Sequence, residues 1–496
     1  MKNKIDNYLK KSENLAYLVG TFIIFMMSYG LVFNKYIINH DSLGRIQGYI
    51  GGIELGRFVR PILNNVFSFA TYNPINNSIL TYIMLLISCL FIIKLFKITS
   101  LFSKLMLSTL IFSYPLFGFF WMYGNDMWMY TFAFLMAILT IYFLTKQGLV
   151  NKFMTIFCLV MTLGTYQAML SVITSLFLVY YIIELAKGQS YTYYELFKQL
   201  LLLIFGAIIY YGLVKLSLVI TDKTLQTYMN ASSIGIFSIV KFIPKALILA
   251  YGGFLVFLIG KMEFFGNRYT SVILHLSFVL SYVFLVVKMN KNKISEKNIS
   301  MVVILLISLP IMIYAQVFAT QVFTTYNQFG LLIFILGAFI ISLELLEKKQ
   351  TVYLIIMIIY LFLNINLLNE MLFTETTNSQ QIITVVQTLV HDISATPNYQ
   401  KGDSVTFCGN LQENDNLAYV IHQVPFIFFD YHLRSGNSNY VINGDNYKKI
   451  KILINTLGYK FNIQKEPCTL AKNAPAYPED GYITEENNKF YVKLGN

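Results

Sequence analysis

The sequence predicts an all-α polytopic membrane protein of about 11 transmembrane helices, with a small α/β extracytoplasmic domain at its C-terminal end. Three observations predict it. Hydrophobic residues make up 56% and charged residues only 12% of the 496, where soluble domains average about 25% charged. Apolar runs of roughly 20 residues, enough to cross a bilayer, recur through most of the chain. From about Met371 onward the composition turns to that of a soluble domain.

Residues 1–14 are polar and lysine-rich, and residues 15–33 form the first apolar run. No small-residue cleavage pattern follows, so this run reads as an anchor, not a removed signal peptide. The lysines ahead of it place the N-terminus in the cytoplasm by the positive-inside bias. Residues 34–78 then form an external loop with interfacial helices. Further runs follow near 79–96, 105–122 and 127–145, with lysines at the internal turns. The stretch 153–185 is too long for one upright helix and is interrupted at Gly164-Thr165-Tyr166-Gln167. It reads as a broken helix or a re-entrant pair. Later runs lie near 199–220, 243–260, 271–287, 300–320, 328–346 and 351–368. Lysines after 287 and after 346 make those loops internal, so the last run exits outward. Either 153–185 or 243–260 is then the incomplete span.

The transmembrane part is expected over 1–370 and the outer domain over 371–496. In the latter, 378–394 has apolar residues at helical spacing, 447–457 reads as another helix, and 405–408, 461–463 and 490–492 read as short strands. Of four cysteines, Cys89 and Cys158 lie in apolar runs and are expected to be inert. Cys408 and Cys468 lie in the tail and can pair if it is outside the cell. The net charge of +12 belongs to a basic inner surface facing anionic lipid, not to a nucleic-acid partner.

The chemistry concentrates just after the first run. The chain has five arginines, and three of them, Arg45, Arg57 and Arg60, fall in one loop with Asp41 and Glu54. Arginine presents a planar fork of donors suited to phosphate or carboxylate, so this loop is expected to hold an anion; the plainer reading is interfacial snorkelling. Asp41 and Arg45, four apart, share a face if the stretch is helical. A carboxylate beside cations stays ionised and suits a base taking a proton from an attacking hydroxyl. His40 stands next to Asp41 to orient it or touch phosphate. A second carboxylate, Asp126, lies in a tight external turn between Trp121 and Trp128, the only two tryptophans. Tryptophan stacks on sugar rings, but it also populates interfacial belts. Tyr166 and Gln167 offer hydrogen bonds at the helix break, to substrate or to neighbouring spans, and 321–328 is a further polar turn. The histidines show no metal spacing, and no phosphate loop, nucleophile elbow or dinucleotide fingerprint is present.

Three motifs in order, Asp41-x-x-x-Arg45, then Gly56-Arg57-x-x-Arg60-Pro61, then Gly164-Thr165-Tyr166-Gln167-Ala168, resemble the GtrII-type glucosyltransferases. That family belongs to the broader GT-C class, which takes a sugar from a polyprenyl-phosphate carrier and adds it to an acceptor outside the membrane. The resemblance covers roughly residues 15–370. It implies Asp41 as general base, Arg45, Arg57 and Arg60 on the donor phosphate, and Asp126 assisting at the acceptor or a metal. His40, Glu54, Trp121, Trp128, Tyr166 and Gln167 are the expected substrate contacts. Attack at the anomeric carbon would invert it, with no nucleotide at the site and the need for a divalent cation left open. The acceptor is expected to be a cell-surface polysaccharide or teichoic-acid-type polymer, and the sugar glucose. Where many members carry adjacent acidic residues this chain has His40-Asp41, which throws weight on Asp126 or Glu54. A polysaccharide polymerase or ligase is the alternative among enzymes, although its key residues would fall in large late loops. A lipid-linked oligosaccharide transporter would bury ionisable residues at mid-membrane, where these runs carry almost none.

Overall fold

The chain folds into fifteen helices of a turn or more along the bundle and its C-terminal extension, a sixteenth on a small sheet, and four strands among the described residues. In order these are α1 (Ser12–Tyr29), α2 (Val59–Phe67), α3 (Pro74–Phe96), α4 (Leu101–Phe112), α5 (Pro115–Trp121), α6 (Met127–Leu144), α7 (Leu149–Thr165) and α8 (Leu170–Ala186). There follow α9 (Tyr193–Ile220), α10 (Ile236–Leu258), α11 (Arg268–Lys291), α12 (Glu296–Ile313), the single turn α13 (Val317–Thr320), α14 (Phe329–Ile340) and α15 (Gln350–Ala395). The tail adds β1 (Ser404–Cys408), α16 (Tyr447–Thr456), β2 (Asn462–Ile463), β3 (Ile483–Glu486) and β4 (Lys489–Lys493). The structure is a computed structural model and describes residues 12–35, 37–38, 43, 52–67, 73–121, 126–226, 236–260, 268–320, 328–345, 350–411 and 443–495.

Helix α1 shows why this is a membrane protein. Its buried face carries Tyr17, Thr21, Phe25 and Ser28, while Leu15, Val19, Phe22, Ile23, Met26 and Met27 are exposed. Two of the inward hydroxyls are hydrogen-bonded: Tyr17 meets Ser108 Oγ at 2.8 Å, and Thr21 donates to the Leu18 carbonyl at 2.9 Å. A soluble protein does not leave so continuous an apolar stripe in water; lipid is the solvent that accepts it. Helix α9 repeats the pattern, burying Leu203, Gly206, Val214 and Leu218 and exposing Ile204, Phe205, Ile208 and Tyr211.

Eight described helices are long and apolar enough to cross a bilayer, or nine if α4 and α5, bent by 43°, form one span. The shorter apolar segments Leu149–Thr165, Ile243–Leu258 and Phe329–Leu343 come in addition. The expectation of about eleven crossings is therefore not reached by helix length alone. The stretch 153–185 is two helices, with α7 ending at Thr165 and α8 beginning after the 3-10 turn Gln167–Met169. Both far ends return to one side: α7 starts beside the end of α6, and Lys187, just past α8, donates to the Phe96 carbonyl at the end of α3. The pair is a hairpin whose turn lies at the opposite end of the bundle. Helix α10 packs by Phe254 and Phe257 on Phe334, midway along α14, and its Tyr251 donates to the Ile307 carbonyl.

Helix starts follow local chemistry. Asn73 Oδ1 accepts from Asn76 N–H at 3.1 Å and Pro74 opens α3; Thr192 and Glu195 form a reciprocal capping box on α9. At 46 residues, α15 is about 70 Å long, more than twice the hydrocarbon thickness of a bilayer. It carries the chain unbroken across the division expected at residue 370. Its distal face, Ile382, Val385, Val386, Leu389, Val390 and Ile393, packs on the sheet core of Val405, Phe407, Phe490 and Val492.

The sheet has the order β2-β1-β4-β3, with β1 parallel to β2 and β4, and β3 antiparallel to β4. The expected strands and the 447–457 helix are all present; β3 is additional. Its hairpin turns on Asn487 and Asn488, both at positive φ (52° and 61°), the backbone that a two-residue turn demands. A disulfide joins Cys408 to Cys468, and Cys89 and Cys158 are free and buried.

Candidate active site

Residues 52–61 fold into a tight turn that the sequence can make only because of its glycines. Gly52 stands at φ +140° and its carbonyl accepts from both Leu55 N–H (3.0 Å) and Arg57 N–H (2.7 Å). Gly56 closes the 3-10 turn Ile53–Leu55 in the left-handed region at φ +74°. A Cβ on Gly56 would lie 3.0 Å from the Tyr210 hydroxyl and 3.2 Å from Gln167 Nε2. Helix α2 then starts at Val59, with Pro61 in its first turn where a missing N–H costs nothing.

The turn is clamped by the α7–α8 hairpin and by α9. Gln167 Nε2 donates to the Leu55 carbonyl at 2.6 Å and lies 3.1 Å from the Tyr210 hydroxyl, which donates to the Gly56 carbonyl at 3.2 Å. Gln167 Oε1 accepts from Arg57 Nε at 3.2 Å, and the Arg57 guanidinium lies 5.0 Å from the centre of the Tyr166 ring. Gly164 permits the approach, since a Cβ there would come within 2.6 Å of Val59 Cγ2. Glu54 does not join the arginines. It forms an ion pair with Lys223, whose hydrogen bond holds the carboxyl below its usual range, and its backbone carbonyl accepts from Gln226 N–H at 2.9 Å. Its place is to fasten the turn to the end of α9.

Arg60, on the first turn of α2, forms a buried ion pair with Asp126, the residue before α6. The Arg60 guanidinium lies 5.6 Å from the centre of the Tyr130 ring, one helical turn beyond Asp126. Tyr130 meets Tyr166 edge-on at 4.8 Å, and Phe120 touches both and stacks on Phe329. Two guanidiniums thus stand over one aromatic floor, where cation–π attraction and low polarity hold them. Asn64, one turn after Arg60, is buried, and its Nδ2 has no hydrogen-bond partner among the described residues.

The structure therefore brings Arg57, Arg60, Asp126, Tyr166 and Gln167 together. His40, Asp41 and Arg45 lie outside the described residues, as does the polar turn 321–327. The tryptophans are placed differently from the expectation. Trp121 is 3% exposed and stacks on Tyr29 at 4.7 Å; Trp128 is 1% exposed, packed with Val59, Leu63 and Met129. Two participants escaped sequence reasoning. Tyr130 had a signal, its four-residue spacing from Asp126 on a helix; Tyr210, one of 36 tyrosines, had none. Among the described residues no three His, Cys, Asp or Glu side chains come together to hold a metal.

No curated protein and no solved structure matches this chain. A family model described as Glucosyl transferase GtrII matches residues 29–326, from the end of α1 to the turn before α14.

Proposed function

Because the chain belongs to the GtrII glucosyl transferase family and is a multi-pass membrane glucosyltransferase, we propose that its donor is a sugar, glucose by family, on a polyprenyl-phosphate carrier. The acceptor is a cell-surface polysaccharide or teichoic-acid-type polymer on the outer face. The observation that carries this reading is the meeting of Arg57 and Arg60 with Asp126 over the Tyr130–Tyr166 floor at one end of the apolar bundle. Two guanidiniums and one carboxylate leave one net positive charge, the match for a phosphodiester monoanion. Gln167 takes the Nε–H of Arg57, so the terminal amino groups of its fork remain to grip phosphate oxygens. Arg60, fixed by Asp126, adds its field.

In the proposed reaction Asp41 takes the proton from an acceptor hydroxyl as that oxygen attacks the anomeric carbon. The bond from that carbon to the phosphate oxygen breaks, its electron pair leaves with the polyprenyl phosphate, and the carbon inverts. The arginines stabilise the second charge that develops on the leaving phosphate, and Arg45 is proposed to share that task. The outer position of the tail is supported by the Cys408–Cys468 disulfide, a bond that persists in oxidising compartments. The test is the composition of surface polysaccharide with and without the gene. One missing side-chain sugar is expected, restored by the wild-type gene; identical glycans would overturn the reading.

A further inference from the structure

Helix α15 carries a second polar station. Leu368 lies against Gly118 of α5, and Asn369 donates to the Met27 carbonyl near the end of α1 at 3.0 Å. Two turns later stand Glu375, 2% exposed, and Asn378, fully buried. They are three apart and so share a face of the helix. Among the described residues, Glu375 Oε2 and both amide atoms of Asn378 have no hydrogen-bond partner. Buried polar atoms without partners cost stability, and an apolar residue of the same shape would avoid that cost.

The station lies beside the segment that carries the proposed base. Ser379 Oγ accepts from Ile38 N–H at 3.0 Å and donates to the Glu375 carbonyl at 2.8 Å. Ile38 and Leu43 are both fully buried and belong to one core with Ile382, Val385 and Val386 of α15. Ile38, three residues before the proposed base in the chain, is therefore anchored one turn beyond Glu375.

We propose that Glu375 and Asn378 bind hydroxyl groups of a sugar during transfer. The chemistry favours hydroxyls over the alternatives. A carboxyl oxygen offers an acceptor and a primary amide offers one donor edge and one acceptor edge, a set that neighbouring hydroxyls, each donor and acceptor, satisfy together. A phosphate would find no positive charge in this pair, and a single carboxylate with an amide is too few ligands for a cation. The sugar is either the one on the donor or the terminal residue of the acceptor. The proposal rests on the transferase reading above, and it assigns these two side chains to binding, not to bond breaking.

The test uses the full-length enzyme in detergent, a short-chain prenyl-phosphoglucose as donor and polysaccharide from a strain lacking the gene as acceptor. Asn378→Leu removes both orphaned amide atoms at nearly constant volume. The expected result is a higher unfolding temperature together with about a tenfold rise in KM, the scale of one lost hydrogen bond, with kcat within threefold. A rise confined to the donor assigns the donor sugar; a rise confined to the acceptor assigns the acceptor. Glu375→Gln, which keeps an acceptor oxygen, should hold KM within threefold while Glu375→Leu does not. Unchanged KM for both probes in Asn378→Leu and Glu375→Leu would overturn the proposal, as would a fall in kcat alone. Failure of the wild-type enzyme to use the donor would instead overturn the transferase reading.

Discussion

Arg57 gives its Nε–H to the side-chain carbonyl of Gln167 across 3.2 Å, joining two motifs that stand 110 residues apart in the chain. The other end of the same amide holds the Leu55 carbonyl, so one glutamine fixes both the cation and the backbone turn that presents it. Arg57→Lys keeps the charge but loses the fork and its alignment on Tyr166. Donor KM is expected to rise about tenfold or more, and acceptor KM to change little. Gln167→Leu should act in the same direction, because the guanidinium loses its anchor. Initial rates against donor concentration decide; an unchanged donor KM in Arg57→Lys would remove Arg57 from phosphate binding.

Arg60 and Asp126 are each less than a tenth exposed, so each depends on the other for its charge. Asp126→Ala leaves a guanidinium buried without its counter-ion and should cost about 3 kcal/mol or more of stability. The double variant Arg60→Met/Asp126→Leu should regain most of that loss while transferring no sugar. Thermal unfolding in detergent, read beside activity, separates the two effects. A single variant as stable as wild type would mean that the pair is not buried together in the membrane-embedded protein.

The sequence exposed some of this architecture and hid the rest for physical reasons. Gly164-Thr165-Tyr166-Gln167 was legible because polar groups interrupt an apolar run, and lipid does not tolerate that without a use. The loop arginines stood out against a background of lysine. Helix α15 was not legible as one element. Its composition changes near residue 370, where its surroundings change from lipid to protein and water, yet the backbone hydrogen bonds continue to Ala395. The burial of Trp121 and Trp128 was not legible because a tryptophan at the end of an apolar run looks the same whether its ring faces the interface or the interior. Glu375 and Asn378 passed unnoticed among ordinary tail residues; their significance comes from burial, which one-dimensional patterning does not report.

The disulfide makes a simpler prediction. Cys408 and Cys468 are 60 residues apart, and closing a loop of that size restricts the unfolded chain by about 4 kcal/mol in the entropic account. Denatured without reductant, the protein should react with two equivalents of maleimide, and after reduction with four. Cys408→Ser should lower the stability of the C-terminal sheet region and leave helix content nearly intact by circular dichroism. Four reactive thiols in freshly purified, unreduced protein would place the tail in a reducing compartment.

Gly56 carries the most local demand in the site. Its backbone stands at φ +74°, and a Cβ would press on the Tyr210 hydroxyl at 3.0 Å and on Gln167 Nε2 at 3.2 Å. Gly56→Ala therefore meets two penalties: a left-handed backbone costing about 1 kcal/mol and a push on the amide that anchors Arg57. Turnover should fall at least tenfold with the protein still inserted in the membrane. Gly212 is the matched control. It lies in α9, two residues along from Tyr210, with nothing within 4 Å of a Cβ. Gly212→Ala should leave turnover unchanged and strengthen the helix by up to about 1 kcal/mol. Equal activity in the two variants would show that the Gly56 turn need not hold its shape for Arg57 to work.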